Sequence, residues 1–275
     1  MNLVALQGAL NVRGQRPLLV TDGISGRKTT AAIDALLADK SVDGWQNWSD
    51  DRRQVAAEQI IYRNLNIEIG KIDGLVGEQT RYARSVYEGR KANAGKPNPE
   101  VEKWRDADAD KPSLSPVPVK TVVWPRQAET PTFYGAIGSN QTNIDFPFPM
   151  RLAWEPTTNV FRTSCHAKVA EPFKRIWKRA LGHYGHDRIK QLRLDMFGGC
   201  LNVRKMRGGS SWSMHSWGIA MDIDPDRNQL KWGRDKAMLD DAAYAPFWGF
   251  VADEGGVSLG QARNYDWMHF QFARL

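Results

Sequence analysis

Residues 213–225 read Ser-Met-His-Ser-Trp-Gly-Ile-Ala-Met-Asp-Ile-Asp-Pro. From Gly218 onward apolar side chains alternate with small or acidic ones, and a period of two is typical of a β-strand. On a helix, His215 and Asp222 would be two turns, or about 10 Å, apart along the axis, which is too far to share one small ion. We therefore expect a loop that carries His215 and turns at Gly218 into a strand that carries Asp222.

A second alternating segment lies near the end of the chain, where residues 266–272 read Asp-Trp-Met-His-Phe-Gln-Phe. If this segment is a strand beside the first, with the polar faces aligned, Asp222 and His269 lie side by side and His215 becomes a third ligand. Two neutral imidazoles and one carboxylate, with a fourth position open, make up the ligand set of a catalytic zinc site. The sequence therefore predicts a zinc site of His215, Asp222 and His269.

Two other carboxylates lie close to these ligands in sequence. Asp266 is the candidate general base, but in a continuous strand its side chain would point away from that of His269. It must therefore lie in a loop or bulge that enters the strand. Asp224 is the rival carboxylate, and a loop-capping role beside Pro225 is the preferred interpretation for it.

The combined pattern S-x-H-x-x-G-x-A-x-D, followed by D-W-x-H-F, resembles a family of zinc peptidases. The family includes D-alanyl-D-alanine carboxypeptidases, vancomycin-resistance dipeptidases and phage L-alanyl-D-glutamate endopeptidases, and the resemblance covers about residues 125–275. It implies that His215, Asp222 and His269 bind zinc and that Asp266 takes the proton of the attacking water. It also implies that an arginine in Gly-Gly-Cys-Leu-Asn-Val-Arg-Lys-Met-Arg-Gly-Gly (198–209) stabilises the developing oxyanion.

Arg204 is the first choice for that arginine, and Arg207 is the second. By the same resemblance, Ser213 would touch the substrate. The remaining histidines, His166, His183 and His186, have no partner at a spacing that indicates a metal site.

The N-terminal part contains an internal repeat of the pattern D-G-x-x-G-x-x-T, at residues 22–29 and 73–80. Helical apolar periodicity flanks both copies, so each indicates a helix–loop–helix. The glycines permit positive φ angles, and Thr29 and Thr80 are expected to cap the following helix. The repeat resembles the loop of small helical peptidoglycan-binding modules, in which an aromatic residue occupies the position of Ser25 and Val76. The resemblance covers roughly residues 1–90.

Proline content separates the two parts of the chain, because seven of the 14 prolines fall between residues 91 and 131. Such a segment is typical of a semi-extended linker. We expect a helical module at 1–90, a linker at 91–124 and a zinc peptidase domain at 125–275. The predicted fold class is α+β, with a small antiparallel sheet flanked by helices in the peptidase domain.

The composition, 41% hydrophobic and 25% charged, is that of an ordinary globular protein, and no apolar run approaches the roughly 20 residues needed to span a bilayer. The first residues lack the pattern of a signal peptide. The net charge of +7 favours attraction to polyanions such as an anionic cell envelope. We expect peptidoglycan as the partner, no nucleic acid and a monomer.

The combination resembles a modular endolysin, and the family resemblance implies a zinc peptidase that hydrolyses peptidoglycan stem peptides, with the L-alanyl-D-glutamate bond as the expected one. It would remain in the host cytoplasm until lysis and then act on the periplasmic peptidoglycan. Cleavage at D-alanyl bonds, by a D,D-carboxypeptidase or D,D-endopeptidase, is the alternative activity. A non-catalytic cell-wall-binding protein is an alternative of another class, and a nucleic-acid binder, based on charge alone, is a weaker third.

Overall fold

The computed structural model describes residues 1–108, 111, 113, 114 and 124–275. Within it the chain forms two compact units, Met1–Trp104 and Arg105–Leu275, called here the N-terminal and C-terminal units. The boundary falls inside the segment 91–124 that the sequence predicts as a linker. The rest of that prediction, at residues 109, 110, 112 and 115–123, lies outside the described residues.

The N-terminal unit consists of helices and loops. Its helices are α1 (Leu3–Val12), α2 (Arg27–Asp39), α3 (Asp50–Asn64), α4 (Glu78–Ala92) and the short α5 (Pro99–Glu102). The side chains of Asn2 and Ser49 cap α1 and α3 by accepting a hydrogen bond from a backbone N–H in the first turn. The apolar faces of α1, α2 and α3 form a common core that includes Leu6, Leu10, Ile33, Leu37, Ala56 and Ile60.

A buried glutamine organises the second repeat loop, which joins α3 to α4. The side-chain amide of Gln59 donates to Asp73 Oδ1 (3.0 Å), to the Leu75 carbonyl (3.1 Å) and to Thr80 Oγ1 (3.1 Å). Its Oε1 accepts from the backbone N–H of Gly74 (2.9 Å). One side chain therefore satisfies several polar groups of the loop.

The first repeat loop, between α1 and α2, has the same hydrogen bonds. Gln7 donates to Asp22 Oδ1 (3.0 Å), to the Ile24 carbonyl (3.1 Å) and to Thr29 Oγ1 (3.2 Å), and accepts from the N–H of Gly23 (2.9 Å). The two copies are thus equivalent in structure as well as in sequence.

The expected helix capping by threonine is wrong. Helices α2 and α4 begin after Gly26 and Gly77, so Thr29 and Thr80 are the third residues of their helices. Their hydroxyls are instead the acceptors for the buried glutamines. The second glycine of each loop has an extended φ, and only the first has the positive φ that the sequence predicted.

The C-terminal unit combines helices with a sheet. Its elements in chain order are α6 (Thr130–Tyr134), β1 (Gln141–Leu152), β2 (Glu155–His166), α7 (Ala167–Leu192), β3 (Met196–Gly199), β4 (Ala220–Ile223), α8 (Ala245–Asp253), β5 (Val257–Ser258), α9 (Leu259–Arg263) and β6 (His269–Gln271). Helix α7 is interrupted at Gly185, where φ is +68° and ψ is +168°. Within the described residues no helix is long and apolar enough to cross a membrane.

The strands form one sheet in the order β2-β1-β3-β4-β6-β5. Strands β1 and β3 are parallel and the other neighbours are antiparallel, so the sheet is mixed. The α+β class is confirmed, but the sheet is larger than the small antiparallel one predicted. The difference arises largely from the hairpin of β1 and β2, which the sequence analysis did not identify.

Proline content obscures β1 in the sequence. Its apolar residues alternate correctly for a strand with one buried face, but Pro147 and Pro149 stand between them. Proline cannot donate to a ladder and is tolerated at edges and irregularities. Here the pairing of β1 with β2 is irregular between Asp145 and Met150, which accommodates both prolines.

One face of the sheet packs against α7 and α8. Phe270 of β6 lies 5.8 Å from Phe173 of α7 and 6.0 Å from Phe247 of α8, measured between ring centroids. Met221 of β4 is part of the same core. Because successive strand side chains point to opposite faces, Asp222 and His269 project from the other face.

Candidate metal centre

Three consecutive features of the chain place His215 and Asp222. A 3₁₀-helix, Met214–Trp217, carries His215, and strand β4, which carries Asp222, begins at Ala220. Gly218 lies between them with φ of +68°, and a Cβ at this position would lie 2.5 Å from Gln141 Oε1. The left-handed φ and the approach of the His166 backbone N to 3.1 Å of such a Cβ favour glycine at this turn, which supports the predicted change from loop to strand.

The third candidate ligand comes from the neighbouring strand. Asp222 and His269 are direct partners in the antiparallel ladder of β4 and β6, as the aligned polar faces predict. The atom Asp222 Oδ1 lies 3.1 Å from His215 Nε2 and 2.9 Å from His269 Nδ1, and the two nitrogens are 3.1 Å apart. These three residues form a buried cluster that could hold a metal ion.

Hydrogen bonds on the far side of each ring select the tautomer that a metal requires. His215 Nδ1 donates to the Cys200 carbonyl (2.7 Å), which leaves the Nε2 lone pair facing the cluster. His269 Nε2 lies 3.1 Å from Gln271 Oε1, and the amide of Gln271 donates in turn to the Ala273 carbonyl (2.7 Å). That second bond orients the amide so that its oxygen accepts from the imidazole, which leaves His269 Nδ1 facing the cluster.

Burial sets the charge of the cluster. Desolvation lowers the pKa of His215 below its ordinary value, so the imidazole is neutral and can act as a ligand. Two neutral nitrogens and one carboxylate fit a zinc ion, whose ligands must be deprotonated.

Asp266 lies in the loop that enters β6, as its predicted role requires. Its φ of +56° is left-handed, its N–H donates to the Leu230 carbonyl (2.9 Å), and its carbonyl accepts from the N–H of His269 (3.0 Å). The side chain of Asp266 therefore does not follow the two-residue period of the strand, and it lines the same cavity as Asp222 and His269. The cavity measures about 20 Å³, enough for a water molecule.

Both candidate arginines, Arg204 and Arg207, line this cavity. Desolvation, together with the charge of Arg207, lowers the pKa of Arg204 to about 9. Within the described part of the chain, Arg204 Nε has no hydrogen-bond partner. Arg207 Nη2 lies 3.7 Å from Asp222 Oδ2, so its charge is directed at a candidate ligand.

Ser213 and Asp224 have structural partners. Ser213 lines the cavity, and its Oγ caps the 3₁₀-helix by accepting from the N–H of His215 at 3.4 Å. The Asp224 carboxylate accepts from Arg193 (2.8 Å) and Arg227 (2.6 Å) and is not part of the metal cluster. It precedes the short 3₁₀-helix that begins at Pro225 but makes no side-chain hydrogen bond that caps it, so the expected capping role is wrong, because the two arginines take up its carboxylate oxygens.

Sequence reasoning missed three contributors to the site: the carbonyl of Cys200, the side chain of Gln271, and Arg105. Gln271 could have been found, because it lies two residues after His269 and therefore on the same face of β6. Nothing local marks the Cys200 carbonyl, since any residue supplies one. Arg105 lies 161 residues before Asp266 in the sequence, in the segment predicted as a linker.

Comparison with known proteins finds no matching family model, no matching curated protein and no matching solved structure.

Proposed function

We propose that this chain is a modular endolysin, a zinc-dependent peptidase that hydrolyses peptidoglycan stem peptides. The observation that carries the proposal is the convergence of His215, Asp222 and His269 in one buried cluster. A structural zinc site is usually closed by four protein ligands, whereas a catalytic site has three and an open position. Asp266 and Arg204 line the same cavity, and a site that only holds a fold together requires neither of them.

The residues around the cluster have the chemistry of amide hydrolysis. When bound, zinc supplies Lewis acidity and makes a water nucleophilic at neutral pH. Asp266 accepts the proton of the attacking water and delivers it to the leaving amine. The Arg204 guanidinium donates to the carbonyl oxygen as negative charge develops on it, an interaction that is strongest in the transition state.

The proposed substrate bond is L-alanyl-D-glutamate, with D-alanyl bonds as the alternative. The N-terminal unit is proposed to bind the cell wall, and the equivalence of its two Gln-Asp-Thr loops is consistent with a duplicated binding module. A binding unit linked to a peptidase raises the effective concentration of enzyme on an insoluble polymer. The proposed location is the host cytoplasm until lysis, with action afterwards on periplasmic peptidoglycan.

Mass spectrometry of Gram-negative sacculi, digested with and without EDTA, tests the activity. New N-terminal D-glutamate products that disappear with the chelator are the expected result. Cleavage at D-alanine would reassign the bond. If the protein binds zinc but cleaves neither these sacculi nor sacculi with a different stem-peptide chemistry, the enzyme proposal is contradicted. A wall-binding protein would then be favoured.

A further inference from the structure

Arg105 reaches the cavity of the metal cluster from the beginning of the C-terminal unit. Its Nη1 lies 3.1 Å from Asp266 Oδ2, and the two side chains are only 11% and 7% exposed. Among the described residues, Arg105 provides the hydrogen bond that the Asp266 carboxylate accepts. The carboxylate assigned as proton acceptor is therefore held by a residue from the predicted linker.

The backbone around Arg105 is fixed to the loop that precedes the metal ligands. The N–H of Arg105 donates to the Gly208 carbonyl (2.7 Å), and Asp106 Oδ1 accepts from the N–H of Ser210 (2.8 Å). A Cβ on Gly209 would lie 3.3 Å from Asp106 Oδ1, so the two segments approach closely. These contacts determine where the Arg105 side chain begins.

The far end of the Arg105 side chain, the guanidinium, is held as well. Its Cζ lies 5.0 Å from the ring centroid of Tyr265, the neighbour of Asp266, in a cation–π contact. Because the charge is planar and fixed against a ring, it can present its N–H groups to Asp266 in one orientation. A lysine ammonium would keep the charge but not this geometry.

We infer that Arg105 is a positioning residue that orients the Asp266 carboxylate for proton transfer, an inference that rests on the proposed function. The backbone hydrogen bonds of Asp266 fix its Cα, but they leave the rotation of its side chain to be set by the groups that contact the carboxylate. Catalytic groups lose efficiency steeply when displaced by about 1 Å, and a buried ion pair prevents such displacement. Arg105 thereby makes the beginning of the C-terminal unit part of the proposed peptidase site rather than a passive connection.

Kinetics of full-length, zinc-loaded variants test the inference. Arg105→Gln is expected to keep stoichiometric zinc and lower kcat by about 10-fold to 100-fold with little change in KM. Arg105→Lys should recover part of the lost kcat, and guanidinium ion added to the solution should partly restore the kcat of Arg105→Ala. In an Asp266→Asn background, Arg105→Gln should have no further effect, because the two residues act as one unit.

Arg151→Gln is the matched control, because Arg151 forms a comparable, partly buried pair with Asp195 at 2.6 Å. It should lower stability without lowering kcat of the folded protein. An unchanged kcat in Arg105→Gln, or the same loss of kcat in Arg151→Gln, would overturn the inference. A raised KM at constant kcat would also overturn it, and would make Arg105 a substrate-binding residue.

The ion pair can be detected without turnover by ¹⁵N NMR of the arginine side chains. The guanidinium signal of Arg105 should show restricted rotation in the wild type and should change in Asp266→Asn. A freely rotating guanidinium in the wild type, or a signal that Asp266→Asn leaves unchanged, would overturn the inference. A wild-type protein that cleaves no peptidoglycan would contradict the proposed function and remove the catalytic role of Arg105 with it. An active wild-type enzyme with an unaffected Arg105→Gln variant would contradict the role of Arg105 alone.

Discussion

The two imidazoles of the cluster present different nitrogens, Nε2 from His215 and Nδ1 from His269. The spacing of the histidines in the sequence predicts that they meet, but it carries no information on the tautomer. That choice depends on the acceptors behind the rings, a backbone carbonyl for His215 and the Gln271 amide for His269. Such outer hydrogen bonds orient ligands and increase metal affinity.

Removing one ligand tests the cluster directly. His269→Ala is expected to lose stoichiometric zinc, because the remaining imidazole and carboxylate form an incomplete site. His186→Ala is the control, since His186 is exposed on α7 and should leave the zinc content unchanged. Zinc per protein is measured by atomic emission after dialysis. Full zinc content in His269→Ala would contradict the assigned ligand set.

Removing an outer partner should have a graded effect. Gln271→Leu removes the acceptor that holds His269, so zinc affinity should fall by about 10-fold to 100-fold while the fold persists. Competition with a chromophoric chelator measures this affinity. Gln191→Leu, at an exposed position on α7, should bind zinc like the wild type. Equal affinities for both variants would show that Gln271 does not orient the ligand.

The carboxylate of Asp266 should separate metal binding from turnover. Asp266→Asn is expected to keep zinc but lose about 10²-fold to 10⁴-fold in kcat, because an amide cannot accept the proton. Asp145→Asn, at an exposed position of β1, should keep both properties. Steady-state cleavage of soluble muropeptides gives kcat. Near-wild-type turnover in Asp266→Asn would disprove its assignment as the base.

At the scale of elements, close packing between strands brings the ligands into register. A Cβ on Gly198 of β3 would lie 2.8 Å from the Asp222 Cβ, so β3 and β4 can approach only with glycine there. On the other side, the ladder with β6 places His269 opposite Asp222. The alternation of polar and apolar residues predicted the faces of β4 and β6. The neighbours of these strands in the sheet could not be predicted, because they come from distant parts of the chain.

The repeat loops allow a paired test at two glycines. Gly74 has φ of +69°, and a Cβ would lie 2.4 Å from the Arg52 carbonyl oxygen. Gly74→Ala should therefore destabilise the N-terminal unit by about 2 kcal/mol or more. Gly8→Ala, within α1 and with open space around it, should instead stabilise by about 0.5–1 kcal/mol.

Hydrogen exchange of peptides from α1 to α4 measures these changes within the N-terminal unit alone. Faster exchange in Gly74→Ala and slower exchange in Gly8→Ala are expected. Slower or unchanged exchange in Gly74→Ala would show that the loop does not require glycine at this position.

At the scale of the whole molecule, the compact units indicate where the chain should be divided. The predicted module boundary at residue 90 lies inside α4, whereas the N-terminal unit ends at Trp104. A cut after Trp104 leaves α4 and α5 with their own unit and retains Arg105 beside Asp266. The boundary between the compact units falls inside the proline-rich segment, and the short helix α5 and the ion pair of Arg105 on its two sides leave no compositional signal of their own.

Deletion of residues 1–104 should reduce activity on sacculi much more than on soluble muropeptides, because only the insoluble polymer benefits from a tethered binding unit. The soluble substrate is the internal control, since its cleavage depends on the C-terminal unit. Dye-release and chromatographic assays provide the two rates. Equal losses on both substrates would contradict a separate wall-binding role.

The sequence by itself determined the features that arise from short-range pattern: the repeated loops, the two strands of alternating polarity and the meeting of His215, Asp222 and His269 in a cluster that could hold a metal ion. These follow from the chain because side-chain direction is periodic in a strand, so spacing indicates which residues share a face. Only the tertiary structure decided the tautomers, the left-handed position of Asp266, the β1 and β2 hairpin and the contact of Arg105 with Asp266. Each of these depends on groups that are distant in sequence or belong to the backbone, and neither kind of group leaves a periodic pattern to be recognised.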